Sequence, residues 1–157
     1  MKQRLNSKIF TNKNLFVFDL DGTLAPSKSV ADKEMIELLL KLLEKKYIAV
    51  IGGGKYDLFK EQLIERLPRR DVRLSKLFLF PTSSTAFYRL KGGKWVCVYS
   101  HELSLAERKK IKAAFQKAFK EIDYRYPAKT YGLVIEDRGT QITFSALGQE
   151  IVRELGV

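Results

Sequence analysis

The sequence predicts an α/β fold, a βαβαβ unit followed by an α+β module. Three observations carry that prediction. The runs 15–18, 47–51 and 77–80 are almost continuously apolar, as strands of a parallel sheet are. Between them lie two segments with apolar residues at helical spacing. From residue 84 the pattern changes to two hairpins around one helix, which divides the chain into 1–83 and 84–157. At 157 residues the chain is about one domain long, or one core with a small insert.

Each element follows from local chemistry. A basic lead-in with Lys2, Arg4, Lys8 and Lys13 precedes Leu15-Phe16-Val17-Phe18, which reads as a strand buried on both faces and ends in Asp19-Leu20-Asp21-Gly22. Ser29 reads as the N-cap of the next helix, with Asp32 three residues on. Met35, Ile36, Leu39, Leu40 and Leu43 form its apolar stripe, and its last turn, up to Lys46, is basic. Gly52-Gly53-Gly54 breaks the second strand, and the helix after it covers 56–67 through Phe59, Leu63 and Leu67 until Pro68 stops it. Segments 85–90 and 94–99 flank Gly92-Gly93 as an antiparallel hairpin. Ser104 and Glu107 have capping-box spacing at the head of a basic helix, whose buried stripe is Ile111, Phe115, Ala118, Phe119 and Ile122. A second hairpin, 133–135 with 141–144, turns at Asp137-Arg138-Gly139.

A composition of 45% hydrophobic and 11% aromatic residues is enough for a core and excludes a wholly disordered chain. The net charge of +11 favours anionic partners without choosing among phosphate esters, nucleic acid and acidic membrane. A single cysteine, Cys97, forms no internal disulfide and reads as a small buried hydrophobe in a reducing, cytoplasmic setting. A single histidine, His101, excludes a histidine-based metal cage and reads as a surface residue. No run of about 18 apolar residues could span a bilayer, and the first 14 residues hold no signal-peptide stretch, so a soluble protein with no membrane partner is expected.

Asp19-Leu20-Asp21-Gly22-Thr23-Leu24 carries the chemistry, because it stands where a parallel strand emits its C-terminal loop, the usual place of ligand sites in open α/β sheets. One carboxylate can attack phosphorus while the other hands a proton to the leaving oxygen. Two negative charges would repel an incoming phosphate, so a hard divalent cation is required, and oxygen ligands suit Mg²⁺. Gly22 permits the sharp turn, and Thr23 offers a hydroxyl. A bare Asp-Gly turn is the plainer reading, but it leaves the flanking strand, the flanking helix and the spacing unaccounted for.

At these residues the chain resembles the haloacid dehalogenase-like (HAD) phosphotransferases, whose first motif has the form DxDGT. The order of that motif, Lys28, the Gly52-Gly53-Gly54 turn and Glu136-Asp137-Arg138-Gly139-Thr140 is similar to the type IIB capped branch, which includes phosphomannomutases and Cof-like sugar phosphatases. The resemblance extends from about Leu15 to Gln149. It implies a partial Rossmann-like HAD core in 1–83, a cap in 84–157, and a phosphohydrolase acting on a small phosphorylated metabolite, a sugar phosphate, through an aspartyl-phosphate. Asp19 would be the nucleophile and Asp21 the general acid/base. Magnesium would sit on the Asp19 carboxylate and the Asp21 backbone carbonyl. Thr23, Gly53 and Gly54 would hold the phosphate, and Lys28, Arg138 and Gln149 the rest of the substrate.

The chain also departs from that pattern. The serine or threonine of the family's second motif is absent, since the turn reads Gly52-Gly53-Gly54-Lys55. Its backbone N–H groups could hold an anion, or the glycines could only make a tight turn, and the residues leave both open. Tyr131 and Gln149 stand at two positions where the family has arginine, which favours a phosphatase over a phosphomannomutase-type phosphosugar mutase. No lysine motif or paired aspartates follow the cap, so a C-terminal core half absent from this chain is expected, with an open sheet edge covered by a homo-oligomer or a complementing chain. Two alternatives remain: a non-catalytic truncated remnant, and a nucleic-acid-binding module using the stripe Arg108, Lys109, Lys110, Lys112, Lys117 and Lys120. The second lacks interleaved aromatics, and a solvated helix face is favoured over it.

Overall fold

A computed structural model describes residues 8–156, with side chains from Phe10. Lys2 and Arg4 of the basic lead-in lie outside the described residues. After a short helix α1 (Lys8–Thr11) come β1 (Leu15–Asp19), α2 (Lys33–Lys45), β2 (Tyr47–Ile51), α3 (Tyr56–Gln62) and β3 (Leu77–Phe80). The chain continues through β4 (Ala86–Lys91), β5 (Lys94–Ser100), α4 (Leu105–Glu121), β6 (Ile135–Asp137), β7 (Ile142–Phe144) and α5 (Ile151–Leu155). The first five strands form one sheet in the order β1-β2-β3-β4-β5, with β1, β2 and β3 parallel and β4 and β5 antiparallel. The α/β class is therefore as the sequence predicts.

Crossovers of one hand between sequentially ordered parallel strands put both helices on one face of the sheet. Ile36, Leu39 and Leu43 of α2 and Phe59 of α3 pack there on Ile48, Val50, Leu77 and Leu79. Each fully buried aliphatic side chain contributes about 1.5–3 kcal/mol relative to exposure. The opposite face carries Leu15, Val17, Tyr47, Phe78, Phe80 and Phe87. Its aromatic rings contact one another along the sheet, Tyr47 to Phe78 at 6.0 Å and Phe80 to Phe87 at 4.7 Å.

Several local expectations are corrected. The first strand is not buried on both faces: β1 is the sheet edge, and Leu15 and Val17 are 51% and 60% exposed. A run of apolar letters does not say whether a layer packs on both faces of the sheet. The N-cap of α2 is Asp32, whose carboxylate accepts the Met35 N–H at 2.7 Å, not Ser29. The helix begun at Tyr56 is α-helical only to Gln62 and tightens into a 3₁₀ turn at Ile64–Arg66. Cys97 is exposed on the outer strand β5, its thiol donating to the Tyr99 carbonyl at 3.2 Å. The α4 stripe is only partly covered, with Phe115 and Phe119 against Phe144 at 6.1 and 5.1 Å and Ile122 open to solvent.

The main sheet continues past residues 83 and 84, because β4 pairs with β3 through Phe78↔Arg89 and Leu79↔Tyr88. A second, two-stranded sheet, β6-β7, follows α4. Ser104 and Glu107 do form a reciprocal capping box at the head of α4.

Candidate functional site

Asp19 ends β1 in register with Ile51, the last residue of β2, so it stands on the C-terminal rim of the parallel strands. It is exposed, and no described residue donates to its carboxylate. The next residues fold tightly back: the N–H groups of Thr23, Leu24 and Ala25 all donate to the Leu20 carbonyl, and the Gly22 N–H donates to the Ala25 carbonyl at 2.7 Å. Gly22 has φ +77°, a conformation costly for any residue with a Cβ. This turn leaves the Asp21 carbonyl outside the loop's own hydrogen bonds.

Asp21 is held where Asp19 is free. Its Oδ1 accepts the Lys28 backbone N–H at 2.8 Å and the Gln62 Nε2–H at 3.0 Å. Two donors on one carboxylate oxygen fix its direction. Lys28 adopts φ 52° to present that N–H, so the loop carries local strain beside the acid.

The glycine turn meets the β6-β7 hairpin. The Gly53 carbonyl accepts the Arg138 guanidinium and the Gln141 amide, the latter at 2.8 Å. Arg138 also donates to Glu136 Oε2 at 2.7 Å and to Gln149 Oε1 at 3.1 Å, and Lys55 pairs with Glu136 Oε1 at 2.8 Å. Burial alone would push the Glu136 carboxyl up, but Lys55 and Arg138 together hold it below its ordinary value. A Cβ at Gly54 would meet the Leu58 side chain, which would have to shift to admit it. No described residue accepts from the N–H groups of Gly53 and Gly54, which leaves them available to an anion.

Lys28, Gly54, Arg138 and Gln149 line one cleft of about 210 Å³, together with Lys55, Glu136 and Arg153. Four of the sequence-predicted positions are thus brought together. Asp21 meets this cleft through the Lys28 N–H, while Asp19 and Asp21 do not line it. Thr23 is turned elsewhere, into an apolar groove with Phe18, Leu24, Met35 and Leu39. Gly53 contributes a carbonyl to the hairpin contact.

Two residues were missed. Gln62 left a signal, a polar letter on the buried face of α3 between Phe59 and Leu63. Gln141 left none, since nothing local distinguishes a turn glutamine that reaches another element. The basic stripe on α4 is partly neutralised: Lys112 pairs with Asp137 at 3.0 Å, and Arg108 lies 3.1 Å from Glu102 and 3.6 Å from Asp137. No helix among the described residues is long and apolar enough to cross a membrane.

The donors suit magnesium, which binds through one or two carboxylates, water and substrate phosphate. The free Asp19 carboxylate and the Asp21 carbonyl are hard oxygen donors of that kind. Among the described residues no three His, Cys, Asp or Glu side chains cluster as a metal cage.

No family model matches the chain. Among known proteins it is similar to a probable phosphomannomutase of Caenorhabditis elegans, 28% identical over 145 residues, covering 92% of this chain and 55% of that protein. A phosphomannomutase of Schizosaccharomyces pombe is 31% identical over 137 residues, covering 87% and 51% respectively. The chain spans about half the length of these curated relatives. Its fold is shared with an ATP-bound IMP-nucleotidase of Plasmodium falciparum, at a TM-score of 0.59 and 16% identity over 83% of this chain and 34% of that one. It is shared also with a trehalose-6-phosphate phosphatase of Aspergillus fumigatus, at a TM-score of 0.50 and 18% identity over 83% and 44%. The chain is thus similar along most of its length to phosphomannomutases, and it has its fold in common with a nucleotidase and a sugar-phosphate phosphatase.

Proposed function

We propose that this chain carries the nucleophile and the general acid/base of a magnesium-dependent phosphohydrolase acting on a small phosphorylated metabolite, a sugar phosphate. One observation carries the reading: Asp19 is free and exposed at the strand end, while Asp21, two residues on, is held by two donors. The asymmetry matches the roles. A nucleophile needs an open line to phosphorus, and a proton donor needs a fixed direction. An Asp19 oxygen forms a bond to phosphorus as the phosphorus–oxygen bond to the sugar breaks. The leaving oxygen keeps the bonding pair and takes the proton from Asp21. Asp21, now ionised, then draws a proton from the water that attacks phosphorus, and the broken acyl-phosphate bond returns Asp19 as a free carboxylate. When bound, magnesium would be held by the Asp19 carboxylate and the Asp21 carbonyl and would offset the negative charge of the phosphoryl oxygens.

Lys28 and the free N–H of Gly54 in the cleft, and the free N–H of Gly53 beside it, are candidates for the substrate. Arg138 and Gln149, engaged with each other, Glu136 and Gly53, would order that wall. The boundary of the cap and a phosphate contact from Thr23 belong to the same proposal, although Thr23 would have to leave its apolar groove. Cytoplasmic residence and self-association belong to it too, supported by the exposed free thiol of Cys97 and the open β1 edge.

The names of the sequence relatives favour a second reading, a phosphomannomutase-type mutase. Against it, a distal phosphate would first have to displace the partners of Arg138. Incubation with mannose 1-phosphate followed by ³¹P NMR separates the two, since a phosphatase yields inorganic phosphate and a mutase yields mannose 6-phosphate.

The central test is phosphate release from a panel of sugar phosphates with Mg²⁺. Asp19→Asn is expected to abolish release with an unchanged thermal midpoint, and undiminished turnover would refute the nucleophile. Asp21→Asn is expected to slow sugar phosphates by roughly 10²–10⁴-fold. It should slow p-nitrophenyl phosphate less, because that leaving group departs without a proton.

A further inference from the structure

Gln62 is 1% exposed, on the face of α3 that also buries Phe59 and the following Leu63. A buried primary amide in an apolar stripe is unfavourable unless both ends are hydrogen-bonded. Here only one end is: Nε2 donates to Asp21 Oδ1 at 3.0 Å, and Oε1 has no partner. An apolar side chain of the same volume would avoid that cost, so packing does not explain the residue. The Gln62 carbonyl accepts the Ala31 N–H at 2.8 Å, which ties the end of α3 to the segment after Lys28 and sets the amide's approach to Asp21.

We infer that Gln62 is a positioning residue for Asp21, an inference that rests on the phosphoryl-transfer reading above. With the Lys28 N–H it fills Oδ1 with two donors, leaving Oδ2 as the oxygen that carries the transferable proton. The carboxyl is thereby prevented from rotating, and the proton is delivered from one defined atom.

Two measurements test it, one of them independent of turnover. In ¹H–¹⁵N spectra a Gln62 side-chain amide proton should exchange slowly, shift and lose protection in Asp21→Ala, and stay unchanged in Asp19→Ala. If it ignores Asp21, the contact is absent and the inference falls. Kinetically, Gln62→Met is expected to lower kcat for a hexose phosphate by roughly 10–100-fold, with KM changed less than about twofold. It should slow p-nitrophenyl phosphate less, add nothing in an Asp21→Asn background, and leave the thermal midpoint unchanged or higher. Equal slowing of both substrates, additivity with Asp21→Asn, or a lowered midpoint with uniform loss would assign Gln62 a merely structural part and overturn the inference. No turnover in the unmodified protein would refute the enzymatic reading, and the positioning role with it, while the resonance would still report the contact.

Discussion

Glu136 is where the layer of α4, β6 and β7 is fastened electrostatically to the main sheet's helices. Its carboxylate takes Lys55 on one oxygen and Arg138 on the other, 2.8 and 2.7 Å away, so one side chain links the start of α3 to the hairpin that presents Arg138. Because these cations hold the folded-state pKa below the ordinary glutamate value, the pair stabilises the fold above that value and loses its effect as pH falls through the lowered one. Lys55 is 43% exposed, so solvent screening limits the gain to about 1 kcal/mol. Glu136→Gln should therefore lower the urea midpoint at pH 7, and the difference from the unmodified chain should vanish as the pH drops below about 4. A difference independent of pH would show that shape rather than charge matters. Arg138 illustrates the limit of reading single letters. The sequence marks it as a cation on a hairpin tip, but its occupation by Glu136, Gln149 and the Gly53 carbonyl depends on residues far away in the chain.

Among the elements, α4 was the easiest to place. Ser104 and Glu107 satisfy each other's backbone N–H groups, an arrangement that needs only four consecutive residues and so survives without tertiary context. Replacing Ser104 with Ala is expected to cost about 1 kcal/mol of helix stability. Amide hydrogen exchange should then quicken in the first turn of α4 and stay unchanged in α2. Helix α3 was harder. Its periodicity runs on to Leu67, but the backbone tightens after Gln62, so the element ends where that side chain turns toward Asp21. Strand β1 misled most, because apolar content predicts a strand well but does not distinguish a central position from an edge.

At the scale of the molecule, one sheet face is packed by α2 and α3 and the other shows aromatic and aliphatic side chains, with the β1 edge unpaired among the described residues. Open edges beside apolar surface promote association. On the self-association proposed above, Val17→Lys is expected to reduce concentration-dependent association in sedimentation velocity while changing folding stability by less than about 0.5 kcal/mol, since Val17 is already solvated. Unchanged association would place the contact elsewhere. By itself the sequence determined what is encoded locally: the strand–helix alternation, the capping box, the glycine turns, and two acids at the end of the first strand. These depend on periodicity, backbone conformation and short-range hydrogen bonds. Tertiary structure alone decided which carboxylate is free and which is held, that β4 and β5 extend the main sheet, and that Lys28, Gly54, Arg138 and Gln149 share a cleft. Those outcomes come from contacts between residues far apart in the chain, such as Arg138 on Gly53 and Gln62 on Asp21, 85 and 41 positions apart, and no local pattern specifies them.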